Sequence, residues 1–99
     1  NLSVGMEELM NDNSFVISPN PASDIVNIQF DLKKEQVVEI SIQDITGRMI
    51  RVLNNENLSS GNHTIQWDLK DKGEKVRSGV YYIRLNSVGY SRAIKLIVI

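Results

Sequence analysis

The chain has 99 residues, of which 41% are hydrophobic and 23% charged, and its 11 basic and 12 acidic residues leave a net charge of −1. This composition indicates one folded domain with a single core, and it lacks the clustered basic excess of a nucleic-acid-binding protein. The chain contains no cysteine and no run near the roughly 20 apolar residues of a membrane-spanning helix, so we expect neither disulfides nor direct membrane insertion.

Residues 1–13, NLSVGMEELMNDN, have the weakest pattern in the chain. Gly5 interrupts them, and MEELM is too short to form a stable isolated helix. They also lack the basic start and the long apolar stretch of a signal peptide. We interpret residues 1–13 as a linker from an upstream domain of a larger protein, and residues 14–99 as the folded domain.

From residue 15 onward, apolar and polar residues alternate in short runs, which is the pattern of half-buried β-strands. After a short strand at residues 15–18, the predicted inward positions are Val26, Ile28, Phe30 and Leu32; Val38, Ile40 and Ile42; Ile50 and Val52; Ile65, Trp67 and Leu69; Tyr81, Ile83 and Leu85; and Ile94, Leu96 and Val98. Strands at this spacing favour an all-β sandwich or barrel. We predict an immunoglobulin-like antiparallel β-sandwich of about seven strands.

Polar segments separate the predicted strands. In SPNPASD, residues 18–24, two prolines fix the backbone, and we interpret the segment as a stiff crossing between the two sheets. In DITG, residues 44–47, the aspartate can bond the backbone ahead of it and the glycine tolerates positive φ, which predicts a short, bulged hairpin. Residues 55–62 and 70–79 are predicted to be loops, and residues 86–91 a tight connection.

Few residues could carry catalysis or bind a metal. His63 is the only histidine, so the chain has no His-based metal cluster, and we expect this side chain to be solvated. Asp68, Asp71 and Glu74 could bind calcium, but they do not match the twelve-residue calcium loop, and solvated loop charges are the preferred interpretation. Trp67 lies on an inward row, which favours core packing over a sugar-stacking platform. We predict no enzymatic activity, no cofactor and no metal.

The order of motifs is similar to that of a known family. SPNPASDIVNIQF, DITGRMI, SSGNHTIQWDL, SGVYYIRL and KLIVI follow one another along the chain. This set resembles the C-terminal sorting domain of proteins exported by the bacterial type IX secretion system (the type A, Por secretion system family) over residues 15–99. The matching signature positions are Pro19, Asn20, Pro21 and Asp24; Asp44, Gly47 and Arg48; Gly79 and Tyr81; and Lys95, Leu96, Ile97 and Val98.

The resemblance implies a secretion signal rather than a catalytic domain. A domain of this family follows a cargo, and the translocon in the outer membrane recognises it from the periplasm. A sortase-like peptidase usually removes it afterwards, and the cargo is released or attached to the surface of the Gram-negative cell. The implied partners are therefore the translocon and the peptidase, and no nucleic acid. Arg48 is either a surface charge or part of the recognised patch.

The last predicted strand, SRAIKLIVI, is apolar on both faces near its end. If this strand lies at a sheet edge, it offers unpaired backbone groups to a partner, and it could also mediate self-association. A well-buried terminal strand is the equal alternative.

Two other classes of protein remain open at this point. One is a carbohydrate- or protein-binding module of the immunoglobulin or fibronectin kind, although the sequence shows no exposed row of aromatic residues. The other is an immunoglobulin-like module of the flagellar-hook-capping type, which residues 63–85 also resemble. The latter accounts less well for the Pro-Asn-Pro segment and for KLIVI.

Overall fold

A computed structural model of the protein describes residues 14–99, so the predicted linker at residues 1–13 lies outside the described residues. The strands are β1 (Val16–Ser18), β2 (Val26–Leu32), β3 (Gln36–Asp44), β4 (Met49–Leu58), β5 (Gly61–Trp67), β6 (Lys70–Asp71), β7 (Glu74–Lys75), β8 (Gly79–Ser87) and β9 (Tyr90–Val98). No helix among the described residues is long and apolar enough to cross a membrane.

The strands form two sheets and a small hairpin. One sheet has three strands in the order β1-β2-β5, and the other has four in the order β4-β3-β8-β9. All pairs of neighbouring strands in the two sheets are antiparallel. The two-residue strands β6 and β7 pair only with each other, inside the segment that was predicted to be a loop. The predicted sandwich of seven main strands is confirmed.

Apolar side chains from the inner faces of both sheets form one core. Its buried members are Phe15, Ala22, Val26, Ile28, Phe30, Leu32, Val38, Ile40, Ile42, Trp67, Leu69, Tyr81, Ile83, Leu85, Leu96 and Val98. These residues include most of the predicted inward rows, because strand alternation places every second side chain on the same face. Trp67 is fully buried, which confirms the prediction that it belongs to the core.

One predicted inward row is wrong in β4. Val52 is 42% exposed, whereas Ile50 and Leu53 are half-buried and pack against the core. The pairing of β3 with β4 shifts register between Ile40 and Ser41 and again between Ile42 and Gln43. A bulge adds a residue to one strand and reverses which side chains face inward, so simple alternation fails here.

The predicted loop at residues 55–62 is mostly strand, because β4 continues to Leu58 and β5 begins at Gly61. Its polar side chains do not prevent pairing with β3, where Asn55 pairs with Glu39 and Glu56 with Val38. His63 consequently lies within β5 and is only half-exposed. Its ring stacks on Phe30 with the centroids 5.5 Å apart, so the histidine that was predicted to be solvated is partly buried.

The segment between β1 and β2 does not cross between sheets. Both strands belong to the three-stranded sheet and pair with each other. Instead, the connecting residues run beside β9 of the opposite sheet, where Ala22 forms an isolated parallel bridge with Val98. The peptide bonds before Pro19 and Pro21 are both cis. This segment therefore joins the two sheets by lying against an edge, not by carrying a strand from one sheet to the other.

Candidate recognition surface

The Asp44 side chain organises the hairpin between β3 and β4. Its Oδ1 atom accepts hydrogen bonds from the Thr46 amide at 2.9 Å, the Thr46 hydroxyl at 2.6 Å and the Arg48 amide at 3.0 Å. Its Oδ2 atom lies 3.3 Å from Arg48 Nε. The Thr46 hydroxyl bond in particular holds the pKa of Asp44 below its ordinary value. The carboxylate is therefore ionised at neutral pH and keeps the turn closed.

Gly47 completes this turn with φ of +91°, a backbone conformation that other residues rarely adopt. Its amide donates to the Asp44 carbonyl oxygen at 2.9 Å, and the Asp44 amide donates to the Arg48 carbonyl oxygen at 3.0 Å. The predicted short, bulged hairpin is confirmed. Arg48, whose side chain is 79% exposed, projects from a rigid turn toward solvent.

Tyr81 lies beside this turn, because it pairs with Asp44 across β3 and β8. Its ring is buried and meets Trp67 edge-on, with centroids 6.2 Å apart. Its hydroxyl donates to the Arg77 carbonyl oxygen at 2.7 Å. Burial, and then the nearby charge of Asp44, raise the pKa of Tyr81 above 10.0. Tyr81 is thus a neutral anchor that fixes the start of β8 and not a surface contact.

An open groove of about 680 Å³ lies between this turn and the β6–β7 hairpin. Its walls include Asp44, Arg48, Tyr81, Asp71, Glu74 and Arg77. The groove thereby brings two of the signature motifs, the Asp-x-x-Gly-Arg turn and the Gly-x-Tyr start of β8, next to the charged segment that follows β5. Charges of both signs face it.

The Pro-Asn-Pro segment closes part of the outer edge of β9. Asn20 Nδ2 donates to the Lys95 carbonyl oxygen at 2.9 Å, and Asn20 Oδ1 accepts from the Ile97 amide at 3.0 Å. The side-chain amide group of Asn20 thus pairs with β9 as the backbone of a neighbouring strand would. The flanking prolines cannot do so as donors, because they have no N–H. We call residues 19–22 the edge latch.

Ala22 continues the pairing with its main chain. Its amide donates to the Ile97 carbonyl oxygen at 2.8 Å, and its carbonyl oxygen accepts from the Ile99 amide at 2.9 Å. The last part of β9 is an edge whose backbone groups are already satisfied, so the alternative in which that part of the strand presents free groups is wrong for this conformation. No sequence signal marked Ala22, because its contribution comes from the backbone alone.

The signature positions of the last strand divide by face. Leu96 and Val98 are buried in the core, whereas Lys95 and Ile97 are exposed. A partner that contacts the folded domain can therefore meet the side chains of only two of these four residues. Asp24 is also exposed, and within residues 14–99 its carboxylate makes no hydrogen bond.

One of the candidate calcium ligands, Asp68, is bonded to other parts of the chain. Asp68 Oδ1 accepts from the Lys70 amide at 3.1 Å and from Arg51 Nη1 at 3.2 Å. Among the described residues no three His, Cys, Asp or Glu side chains are grouped so that they could hold a metal ion. The full burial of Trp67 also removes it from any sugar-binding surface.

The signature motifs meet at one end of the sandwich. At this end β3 finishes, β4 and β8 begin, and β9 finishes, with Gly79 paired to Val98. A family model described as the secretion system C-terminal sorting domain matches residues 16–99. The chain belongs to this family. Domains of the family are C-terminal sorting signals of type IX secretion, not catalytic domains, and the secretion machinery handles them.

The fold of this sorting domain has a counterpart in a solved structure, the crystal structure of dimeric latent PorU from Porphyromonas gingivalis. The two are 26% identical in sequence and superpose with a TM-score of 0.69 over 87% of this chain. The match spans 9% of the length of that PorU chain. A search of curated protein sequences found no match.

Proposed function

We propose that this sorting domain directs a cargo, located before it in the chain, through the type IX translocon of the outer membrane. The translocon recognises the end of the folded sandwich where the signature motifs meet. A sortase-like peptidase then cleaves upstream of the domain, and the cargo is released or attached to the cell surface.

One observation supports this proposal above the others. Signature residues that are far apart in sequence are bonded to one another in space, as in the contact of Asn20 with Lys95 and Ile97. Only three of these signature residues, Tyr81, Leu96 and Val98, are buried in the core. Among the exposed signature residues, Arg48, Lys95 and Ile97 lie at the same end of the domain, where a partner protein can contact all three together.

The groove beside Asp44 does not support catalysis. Within the described residues it holds no histidine or cysteine, and two of its polar side chains, Asp44 and Tyr81, hold the turn and the start of β8. We therefore assign the exposed end to protein–protein recognition and not to a reaction.

The test is an export assay with residues 1–99 fused behind a fluorescent protein that carries its own signal peptide. In a host with a type IX system, we expect the fusion in the medium or on the cell surface. A copy without residues 95–99 should stay in the periplasm. Periplasmic retention of the complete fusion, with its sandwich folded, would contradict the proposed function.

A matched pair of variants tests the recognition surface itself. Arg48→Ala removes an exposed cation at the signature end, and Lys33→Ala removes one from the β2–β3 connection at the opposite end. We expect Arg48→Ala to lower export by about fivefold or more, as loss of an important interface residue does. Lys33→Ala should export like the parent. Equal export of both variants would contradict the assignment of Arg48 to the recognised surface.

A further inference from the structure

Lys75 contacts the edge latch and the end of β9 at the same time. Its Nζ atom donates to the Ser23 carbonyl oxygen at 2.7 Å and lies 3.4 Å from the main-chain oxygen of Ile99. Ser23 directly follows the latch, and Ile99 directly follows β9. Both acceptors are backbone oxygens, so this contact does not depend on which side chains stand at positions 23 and 99.

The ammonium group suits this position chemically. Ser23 and Ile99 each bring an oxygen close to Lys75 Nζ, and the negative charges on these two oxygens repel each other. A lysine ammonium has three donors and a full positive charge, so it can bond both oxygens and offset that repulsion. Lys75 also lines the groove beside the Asp44 turn. Through its contact with Ile99 it connects the β6–β7 hairpin to the end of β9.

We propose that Lys75 is a positioning residue of the sorting signal: it holds the edge latch closed on the end of β9, and the closed form is the one that the export machinery accepts. The second part rests on the proposed function above. An open latch would separate Asn20 from Lys95 and Ile97 and so divide the recognition surface. It would also leave the amides of Ile97 and Ile99 without their partners, which creates an aggregation-prone sheet edge.

Hydrogen exchange on residues 1–99 tests the positioning role without any export assay. In Lys75→Met we expect the amides of Ile97 and Ile99 to exchange about 3- to 10-fold faster, the effect of losing about one hydrogen bond on a local opening. Amides in β3 and β8 should keep their protection. Lys75→Arg retains a cation with several donors and should restore slow exchange.

Lys70→Met is the matched control, because Lys70 pairs directly with Lys75 across the hairpin. Its side chain is exposed and makes no hydrogen bond within the described part of the chain. Its main-chain oxygen, which accepts from Trp67 Nε1, is unchanged by the substitution. If Lys75→Met and Lys70→Met exchange alike at Ile97 and Ile99, the positioning role is refuted. If Lys75→Met fails to fold, Lys75→Gln, which keeps one donor group, is measured instead.

Export of the same variants as fusions tests the second part. We expect Lys75→Met to lose export relative to the parent, because its closed form falls in population, and we expect Lys70→Met and Lys75→Arg to be exported normally. Faster exchange with unchanged or increased export would overturn the claim that the closed form is accepted. If even the parent fusion is not exported, the proposed function fails, while the exchange result still decides whether Lys75 holds the latch.

Discussion

At the scale of single residues, Asp44 and Gly47 each perform a task that the local sequence already specified. An aspartate three residues before a glycine can bond the intervening amides, and glycine can take the positive φ that ends the turn. Both features occur here as predicted. Two further effects of Asp44 could not be predicted from the turn sequence. Its contact with the Arg48 side chain and its effect on the pKa of Tyr81 depend on neighbouring strands.

The stability of the domain should depend on the ionisation of Asp44. Its pKa in the folded state is depressed, so its contribution is fully present above the ordinary value of 3.8 and is lost as the pH falls through the lower, folded value. We expect Asp44→Asn to be less stable than the parent at neutral pH. It should also lose less stability than the parent between about pH 5 and about pH 2.

Urea denaturation at several pH values measures this effect. Asp24→Asn is the control, since it replaces an exposed carboxylate that has no hydrogen bond among the described residues. The control should unfold like the parent throughout. Parallel pH profiles for Asp44→Asn and the parent would show that the turn does not depend on this charge.

At the scale of elements, β9 illustrates how an edge strand is protected by a segment that is not itself a strand. Alternation predicted its inward face correctly, with Leu96 and Val98 buried. The covering of its outer edge by Asn20 and Ala22 was not predicted, because a side-chain amide that replaces a strand has no periodic signature. Natural proteins commonly cover exposed edges in such ways to prevent unwanted pairing.

Replacing Asn20 should weaken the domain in a manner specific to its amide group. Asn20→Ala removes a donor and an acceptor, and we expect it to lower the free energy of unfolding by about 1 kcal/mol. Asn20→Asp keeps an acceptor for the Ile97 amide but places a carboxylate against the Lys95 carbonyl oxygen, so it should not restore stability. Thermal and urea unfolding measure both variants.

Asn62→Ala is the control for these two variants, since Asn62 is an exposed asparagine on β5. It should change the free energy of unfolding by less than about 0.5 kcal/mol, as surface substitutions usually do. If Asn20→Ala is as harmless as the control, the latch contributes nothing to stability.

At the scale of the whole molecule, Trp67 links the two sheets. It lies on β5 of the three-stranded sheet, and its ring meets Tyr81 on β8 of the four-stranded sheet. Its Nε1 atom donates to the Lys70 carbonyl oxygen at 3.1 Å, so the ring is buried without leaving its polar atom unpaired. One side chain therefore supports the packing of the sheets, the position of Tyr81 and the chain that leads into the β6–β7 hairpin.

Trp67→Ala should destabilise the domain by about 3–5 kcal/mol, the usual cost of removing a large buried side chain. A domain of this size has only about 5–15 kcal/mol of stability, so the variant should be close to unfolding. Urea denaturation followed by circular dichroism measures the change, and Trp67→Phe should recover part of it. A loss below about 1 kcal/mol would contradict the structural role of this residue.

The amino-acid sequence was enough to predict the all-β class, most inward rows, the Asp44 turn and the family. The first three depend on residues that are close together in the chain, because side-chain alternation and turn conformation are local properties of the backbone. The family follows from the order of short motifs along residues 15–99. The sequence could not predict the outward position of Val52, the edge latch or the contacts of Lys75, which arise when the chain folds. The reason is sequence distance: Asn20 and Lys95 are 75 residues apart, and their bond exists only once the order of strands has brought both segments to one edge.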